Sequence, residues 1–156
     1  MGRGRTVADG QPPRVGVRVR AAALRLGDWD YNPKVAANVL NSVVEYTSIP
    51  VYPEEVVITA DSDELGGFPF VFMTGHKLVR FSEKERERLR RFVEGGGLLF
   101  SDDCNHDVAG LYATSFEAEM RRIFPGEGTL DKLRSDHPLY RAFFRFPDGP
   151  RRRPTS

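Results

Sequence analysis

The residues best suited to chemistry in this sequence form one short run, Asp102-Asp103-Cys104-Asn105-His106, directly after an apolar stretch. Two other polar groups follow apolar stretches in the same way, Asp28-Trp29-Asp30 and Gly75-His76. Parallel α/β sheets bind ligands beyond the carboxyl ends of their strands, where such residues would meet. The sequence therefore predicts one polar pocket built from three strand ends. Its predicted ligand-binding residues are Asp28, Trp29, Asp30, Gly75, Asp102 and Asp103.

Metal binding is one chemistry that this pocket would support, because imidazole, thiolate and carboxylate groups all ligate zinc. The predicted metal ligands are His76, Asp102 and His106, with Cys104 and Asp28 close enough to share the ion. A metal-bound water would then be the nucleophile. The spacing matches no established zinc signature, so a divalent metal ion is the cofactor suggested, without its identity.

Nucleophilic catalysis is the second chemistry, with Cys104 as the nucleophile and His76 or His106 as its base. A turn from a strand into a helix lowers the pKa of a thiol, whereas neighbouring carboxylates raise it. Asp102 and Asp103 therefore oppose a reactive thiolate. The predicted catalytic residues are Cys104 and His76, and whether the protein is an enzyme stays open.

A purely structural role is the alternative for the same residues. Asp102 and Asp103 would cap the next segment, Cys104 would fill a small buried space, and a backbone carbonyl would satisfy His76. Trp29 would cover the core rather than stack on a ligand. Under this hypothesis the protein is a non-catalytic interaction module that docks on a partner protein through a sheet edge or its basic ends.

The elements that must position these residues alternate between strand and helix patterns. Apolar stretches predict strands over residues 15–26, 56–59, 70–73 and 98–100, with 70–73 central and 98–100 also buried. This alternation predicts a three-layer α/β sandwich, a mostly parallel sheet with helices on both faces.

Three helices are predicted between and after these strands. A capping box, Ser82 to Glu85, opens the second helix, and Gly95-Gly96-Gly97 ends it. Asp136 is predicted to cap the apolar stretch 139–146. The predicted buried stripes are Val35, Val39 and Val43 with Leu40 and Val44 beside them, then Leu89, Phe92 and Val93, then Phe116, Met120, Ile123 and Phe124.

Length and composition indicate one soluble domain, since 156 residues with 40% hydrophobic and 29% charged side chains suit a single core. No apolar run reaches the roughly 20 residues of a membrane helix, and no secretory signal is visible, so a cytoplasmic location is expected. The single cysteine excludes an internal disulfide.

Charge is unevenly distributed along the chain. Residues 1–20 carry +4 and residues 145–156 carry +3, which leaves −6 for the residues between them. This pattern predicts a flexible basic arm over 1–14, an α/β domain over 15–148 and a disordered basic tail over 149–156. The acidic body argues against a nucleic-acid partner.

Several motifs occur in an order found in one bacterial family. They are Gly27-Asp28-Trp29, Phe68-Pro69-Phe70, Thr74-Gly75-His76, Gly95 to Phe100, Asp102-Asp103-Cys104, Phe124-Pro125 and Asp136-His137-Pro138. Over about residues 16–148 the chain resembles the family catalogued as domain of unknown function 4159. The resemblance implies a flavodoxin-like sheet of the class I glutamine amidotransferase type, no settled activity, and members that are often exported.

The chain departs from that family pattern in ways that bear on function. Glutamine amidotransferases place their cysteine in a Gly-x-Cys-x-Gly elbow, whereas Cys104 stands between Asp103 and Asn105, so glutamine hydrolysis is disfavoured. The sequence also ends soon after Phe146, where similar proteins continue with further strands. We therefore expect the C-terminal edge of the sheet to be incomplete or to be supplied by a partner.

Overall fold

The computed structural model describes residues 21–24, 35–52, 56–103, 110–126, 130–142 and 145–146. In chain order its main elements are β1 (Ala21–Leu24), α1 (Val35–Tyr46), β2 (Val56–Ile58), β3 (Phe70–Gly75), α2 (Glu83–Glu94), β4 (Leu98–Asp103) and α3 (Leu111–Ile123). Two short 3-10 helices cover Asp63–Gly67 and Pro138–Arg141. No helix among the described residues is both long and apolar enough to cross a membrane.

The four strands form one parallel sheet in the order β2-β1-β3-β4. The chain moves outward from β1 to β2, then crosses to the other side of β1 to form β3. Strand order therefore reverses between β1 and β3, which is the kind of switch point where α/β sheets open a crevice for ligands. The predicted α/β class and parallel sheet are confirmed.

The central strand β3 carries apolar side chains on both faces, as its continuous apolar sequence predicts. Val71 and Met73 pack into the larger core, to which α2 and α3 also contribute. Phe70 points the other way and packs against Leu40 of α1 in a smaller core. Among the described elements, α1 thus covers one face of the sheet, and α2 and α3 cover the other.

Helix α2 begins and ends where the sequence predicts. Ser82 accepts a hydrogen bond from the Glu85 backbone while the Glu85 side chain bonds back to Ser82, which completes the capping box. Leu89 and Phe92 are buried, and Val93 packs beside them. At the other end Gly96 has a φ of 91°, and an added Cβ at Gly97 would lie 2.3 Å from the Phe92 ring. These glycines let the chain turn directly under Phe92 into β4.

The predicted buried stripe of α1 is wrong by part of a turn. Ala36 and Leu40 are buried with Val43 packed beside them, whereas Val39 and Val44 are 41% and 54% exposed. The apolar residues of α1 form two overlapping stripes, and the one that contains Leu40 fits against Phe70 and Val51.

The predicted strand over residues 98–100 is confirmed, but the prediction that it is buried is wrong. Leu98 is 58% exposed and Phe100 is 50% exposed, because β4 is the last strand of the described sheet and no described helix covers this part of its face. The strand also runs three residues further than predicted, through Asp103.

Helix α3 buries Phe116, Met120 and Ile123 as predicted. The apolar stretch after it differs from expectation, since Leu139 is exposed and His137, rather than Asp136, caps the 3-10 helix there. His137 Nδ1 accepts from the Leu139 backbone at 3.2 Å, while Asp136 is engaged by Arg134.

Candidate functional site

The carboxyl ends of β3 and β4 bring two of the three predicted polar groups together. Gly75 lies directly beside Asp103 in the parallel register, and Thr74 lies directly beside Asp102. Strand β1 runs parallel to β3 and ends at the same edge of the sheet. The predicted residues Asp28, Trp29, Asp30, Cys104 and His106 lie outside the described residues.

Asp102 and Asp103 belong to the strand itself and therefore point to opposite faces of the sheet. Asp102 shares the face of Thr74 and Phe72, and its side chain is exposed. Asp103 shares the other face with Ser101, toward α3. The alternating direction of side chains along β4 thus reduces the repulsion between the two adjacent carboxylates and places them in different surroundings.

Thr74 adds an unexpected polar group to the face of Asp102. Its side chain is 5% exposed, and its Oγ1 is buried without a hydrogen-bond partner among the described residues. A buried hydroxyl left unpaired costs about 1–3 kcal/mol, so most such groups in folded proteins have a partner. An unpaired hydroxyl beside an exposed carboxylate at a strand end is typical of a site that a ligand or an ordered water completes.

His76 begins the loop that joins β3 to α2, and α3 anchors this loop. The Val79 backbone N–H donates to Ser115 Oγ at 2.8 Å, and Ser115 in turn donates to the Leu111 carbonyl at 2.7 Å. Val79 and Phe81 are buried in the core. The loop is therefore held at both ends, which fixes the position of His76 at the sheet edge.

An apolar groove of about 620 Å³ lies along the α3 side of β4. Leu99, Phe116 and Met120 line it, and Ser101 and Tyr112 pair their hydroxyls at 2.8 Å toward its Asp103 end. The volume is in the range of small-molecule sites. The same groove is also where a strand beyond β4 would pack its inward side chains.

Only two of the three predicted metal ligands lie in the part of the chain that the structure describes. No three His, Cys, Asp or Glu residues converge on one point within the part of the chain that the structure describes. His76 and Asp102 lie at the same sheet edge, and the third predicted ligand, His106, lies outside that part. The N-cap of α3 is Gly110, with a φ of 55°. The segment that directly follows the two aspartates, which the structural alternative has them cap, lies outside the described residues.

Sequence reasoning missed a charged cluster between α2 and α3. Glu119 is 0% exposed and receives hydrogen bonds from Arg86 Nε at 2.8 Å and Arg122 Nη1 at 2.6 Å. Burial alone would raise the pKa of the Glu119 carboxyl, but the hydrogen bonds and charges of Arg86 and Arg122 outweigh burial and lower that pKa. A signal was available, because Glu119 falls on the same helical face as Phe116 and Met120.

Comparison with known protein families identifies one family for this chain. The family model described as domain of unknown function (DUF4159) matches residues 17–155, nearly the whole chain. This match starts where the sequence resemblance starts and continues beyond residue 148 into the C-terminal tail. No curated protein matches the chain.

Proposed function

Because the chain belongs to the DUF4159 family, whose description states no activity, we propose a function from the residues themselves: an α/β domain that binds a polar ligand beyond the carboxyl ends of β3 and β4. The observation that carries this proposal is the Thr74 hydroxyl, which is buried without a hydrogen-bond partner among the described residues and lies beside the exposed Asp102 carboxylate. A ligand that donates hydrogen bonds or carries positive charge suits the Asp102 carboxylate, and the Thr74 hydroxyl is able both to donate and to accept.

A flavodoxin-like sheet is the complete architecture that we propose for this domain. The strand order β2-β1-β3-β4 is the first four-fifths of the flavodoxin order, and such folds bind their ligand at the switch between β1 and β3. The pocket proposed here lies at the same edge of the sheet, next to that switch.

Two more specific forms of this proposal differ in their chemistry. In the metal form, His76, Asp102 and His106 hold a divalent ion, for which imidazole and carboxylate are suitable ligands. In the hydrolytic form, Cys104 and His76 supply the nucleophile and the base. Both forms use residues at the carboxyl-terminal edge of the sheet. In both forms Asp103 lies on the opposite face of the sheet from Asp102.

Substitutions at this edge are expected to show whether Thr74 and Asp102 form a ligand-binding site or stabilise the fold. Thr74→Val removes an unsatisfied hydroxyl at constant shape, so the free energy of unfolding should rise by about 1 kcal/mol. Asp102→Ala should change it by less than about 0.5 kcal/mol, since the carboxylate is exposed. Urea denaturation of the purified chain measures both values.

Ser101→Ala is the matched control, because the Ser101 hydroxyl is paired with Tyr112 on the opposite face. It should lower the free energy of unfolding by about 1 kcal/mol. A loss of 2 kcal/mol or more in Asp102→Ala would indicate a structural role and contradict the pocket. The metal form is tested by thermal melts with Zn²⁺ or Mn²⁺ and after chelation, and unchanged melts would exclude it.

A second candidate function, an interaction module, is favoured by the exposed apolar edge of β4. Among the described residues no strand pairs with the outer edge of β4, and Leu98–Asp103 contains no lysine or proline, the residues that discourage edge pairing. Leu98 and Phe100 are exposed beside this edge. The partner that fits best is a second copy, paired antiparallel across a two-fold axis. That arrangement places the two aspartates of one copy opposite the leucine end of the other copy, rather than opposite its aspartates.

Phe100→Lys is expected to weaken this self-association by tenfold or more while leaving the fold intact, because half of the side chain is already exposed. Light scattering over a concentration series measures the dissociation constant. Val44→Lys, an equally exposed apolar position on α1, is the control and should leave association unchanged. A wild-type chain that stays monomeric at every concentration would contradict the second candidate.

A further inference from the structure

A second cavity, of about 540 Å³, lies between the β3–α2 loop and the helices α2 and α3. Its charged lining comes from Arg80 of the loop, Arg86 of α2, and Glu119 and Arg122 of α3. Leu78 and Ala118 contribute apolar surface to the same cavity. The proposed polar pocket uses none of these residues.

The lining of this cavity carries three guanidinium groups and one carboxylate. This excess of positive charge stands out because residues 21–144 together carry −6. Arg86 also pairs with Glu83, which does not line the cavity, so the three arginines meet two carboxylates and keep an excess of one positive charge. That excess favours a bound anion.

Glu119 compensates part of this charge and orients two of the arginines. Arg86 approaches both of its carboxylate oxygens, with Nε at 2.8 Å and Nη2 at 3.4 Å, and Arg122 Nη1 bonds to Oε1 at 2.6 Å. Because the Glu119 side chain is fully buried, the carboxylate is a fixed support. Such a support holds its arginines in a defined geometry before a ligand arrives.

Two of the arginines keep hydrogen-bond donors for a ligand. Arg122 uses Nη1 for Glu119, and its Nε and Nη2 donate to no described residue. Arg80 makes no hydrogen bond or ion pair within the described part of the chain, and its side chain is exposed. Guanidinium groups bind phosphate and carboxylate oxygens through two parallel hydrogen bonds, so these donors match an oxoanion.

We infer that this cavity binds the phosphate group of a small molecule, held by Arg80 and Arg122 over the Arg86–Glu119 pair. The positive charge that remains after Glu119 and Glu83 are counted, together with the free donors of Arg80 and Arg122, favours a phosphate group. The cavity is much larger than a phosphate group, and Leu78 and Ala118 provide an apolar wall for the rest of the ligand. The site is independent of the polar pocket at the ends of β3 and β4.

Phenyl phosphate is a suitable probe, because it joins a dianionic oxoanion to an apolar ring. Titration into the isotope-labelled chain at constant ionic strength, followed by amide NMR shifts, should move the signals of residues 78–80 and 115–122 saturably. Inorganic phosphate should bind more weakly because it lacks the ring. Benzoate should bind at least tenfold more weakly than phenyl phosphate, because it carries a single negative charge.

Arginine variants assign the binding to this cavity. Arg80→Gln and Arg122→Gln should each weaken the binding of phenyl phosphate about tenfold, because each variant loses charge-assisted hydrogen bonds to the phosphate. Arg121→Gln is the matched control, since Arg121 is the adjacent residue, is similarly exposed and pairs with Glu117. It should change the affinity by less than about twofold. Absence of saturable shifts, equal binding of benzoate, or equal weakening by Arg121→Gln would each overturn the inference.

Discussion

Replacing Glu119 with alanine is expected to lower the free energy of unfolding by about 3 kcal/mol, the largest effect of any surface-charge or site substitution in this chain. The change removes the buried carboxylate that Arg86 and Arg122 share, leaves the largely buried Arg86 with only the exposed Glu83, and opens a space between α2 and α3. Unpaired buried charges are costly because the protein interior does not replace their hydration. Urea denaturation at neutral pH measures the loss.

Glu117→Ala is the control for this prediction, because Glu117 sits two residues away on the same helix and pairs with an exposed arginine. Its loss should stay below about 0.5 kcal/mol. Equal losses in the two variants would mean that the Arg86–Glu119 pair contributes no more than a surface ion pair.

The same carboxyl group gives the protein a specific sensitivity to acid. The pKa of Glu119 is lowered from its ordinary value of 4.5, so its contribution to stability is fully present above that value and is lost as the pH falls through the lower folded pKa. The wild-type chain should therefore lose more stability on acidification than Glu119→Gln does. Parallel stability curves for the two proteins below pH 4.5 would contradict the lowered pKa.

Substituting Gly97 with alanine is expected to cost about 2–3 kcal/mol, the second large effect. The added Cβ would lie 2.3 to 2.6 Å from three atoms of the Phe92 ring, and that ring is only 5% exposed and packed in the core. Either the ring or the start of β4 must move. Thermal or urea denaturation measures the loss.

Gly66→Ala separates the contact at Gly97 from the general effect of adding a methyl group to a glycine. No atom lies within 4 Å of the Cβ it would add, so its stability should be unchanged or slightly higher. The double variant Gly97→Ala with Phe92→Leu should recover part of the loss, because the shorter side chain vacates the space of the ring. A full loss in Gly97→Ala that Phe92→Leu leaves untouched would point to backbone strain instead.

Several features that local sequence patterns determine were predicted correctly, although the buried stripe of α1 was not. The capping box at Ser82, the buried positions of α2 and α3, and the central place of β3 all depend on residues within a few positions of one another. Parallel pairing followed from the alternation of strands and helices. These signals are local, so one sequence was sufficient.

The features that depend on distant neighbours were not predicted. The exposure of Leu98 and Phe100 depends on what lies beyond β4, and the apolar pattern alone resembles that of a fully buried strand. The burial of Glu119 depends on Arg86, 33 residues away. For the candidate site, the meeting of Gly75 and Asp103 was predicted, whereas the role of Thr74 required knowledge of its burial.

The extension of β4 through Asp103 has a consequence for how this edge of the protein can change. Because consecutive residues of a strand face opposite sides, Asp102 and Asp103 serve two separate compartments, the Thr74 side and the α3 groove. Substitutions at the two positions should therefore act additively, despite being adjacent in sequence. A substitution on the Thr74 side is therefore able to change that surface without altering the α3 groove, although a single peptide bond separates the two residues.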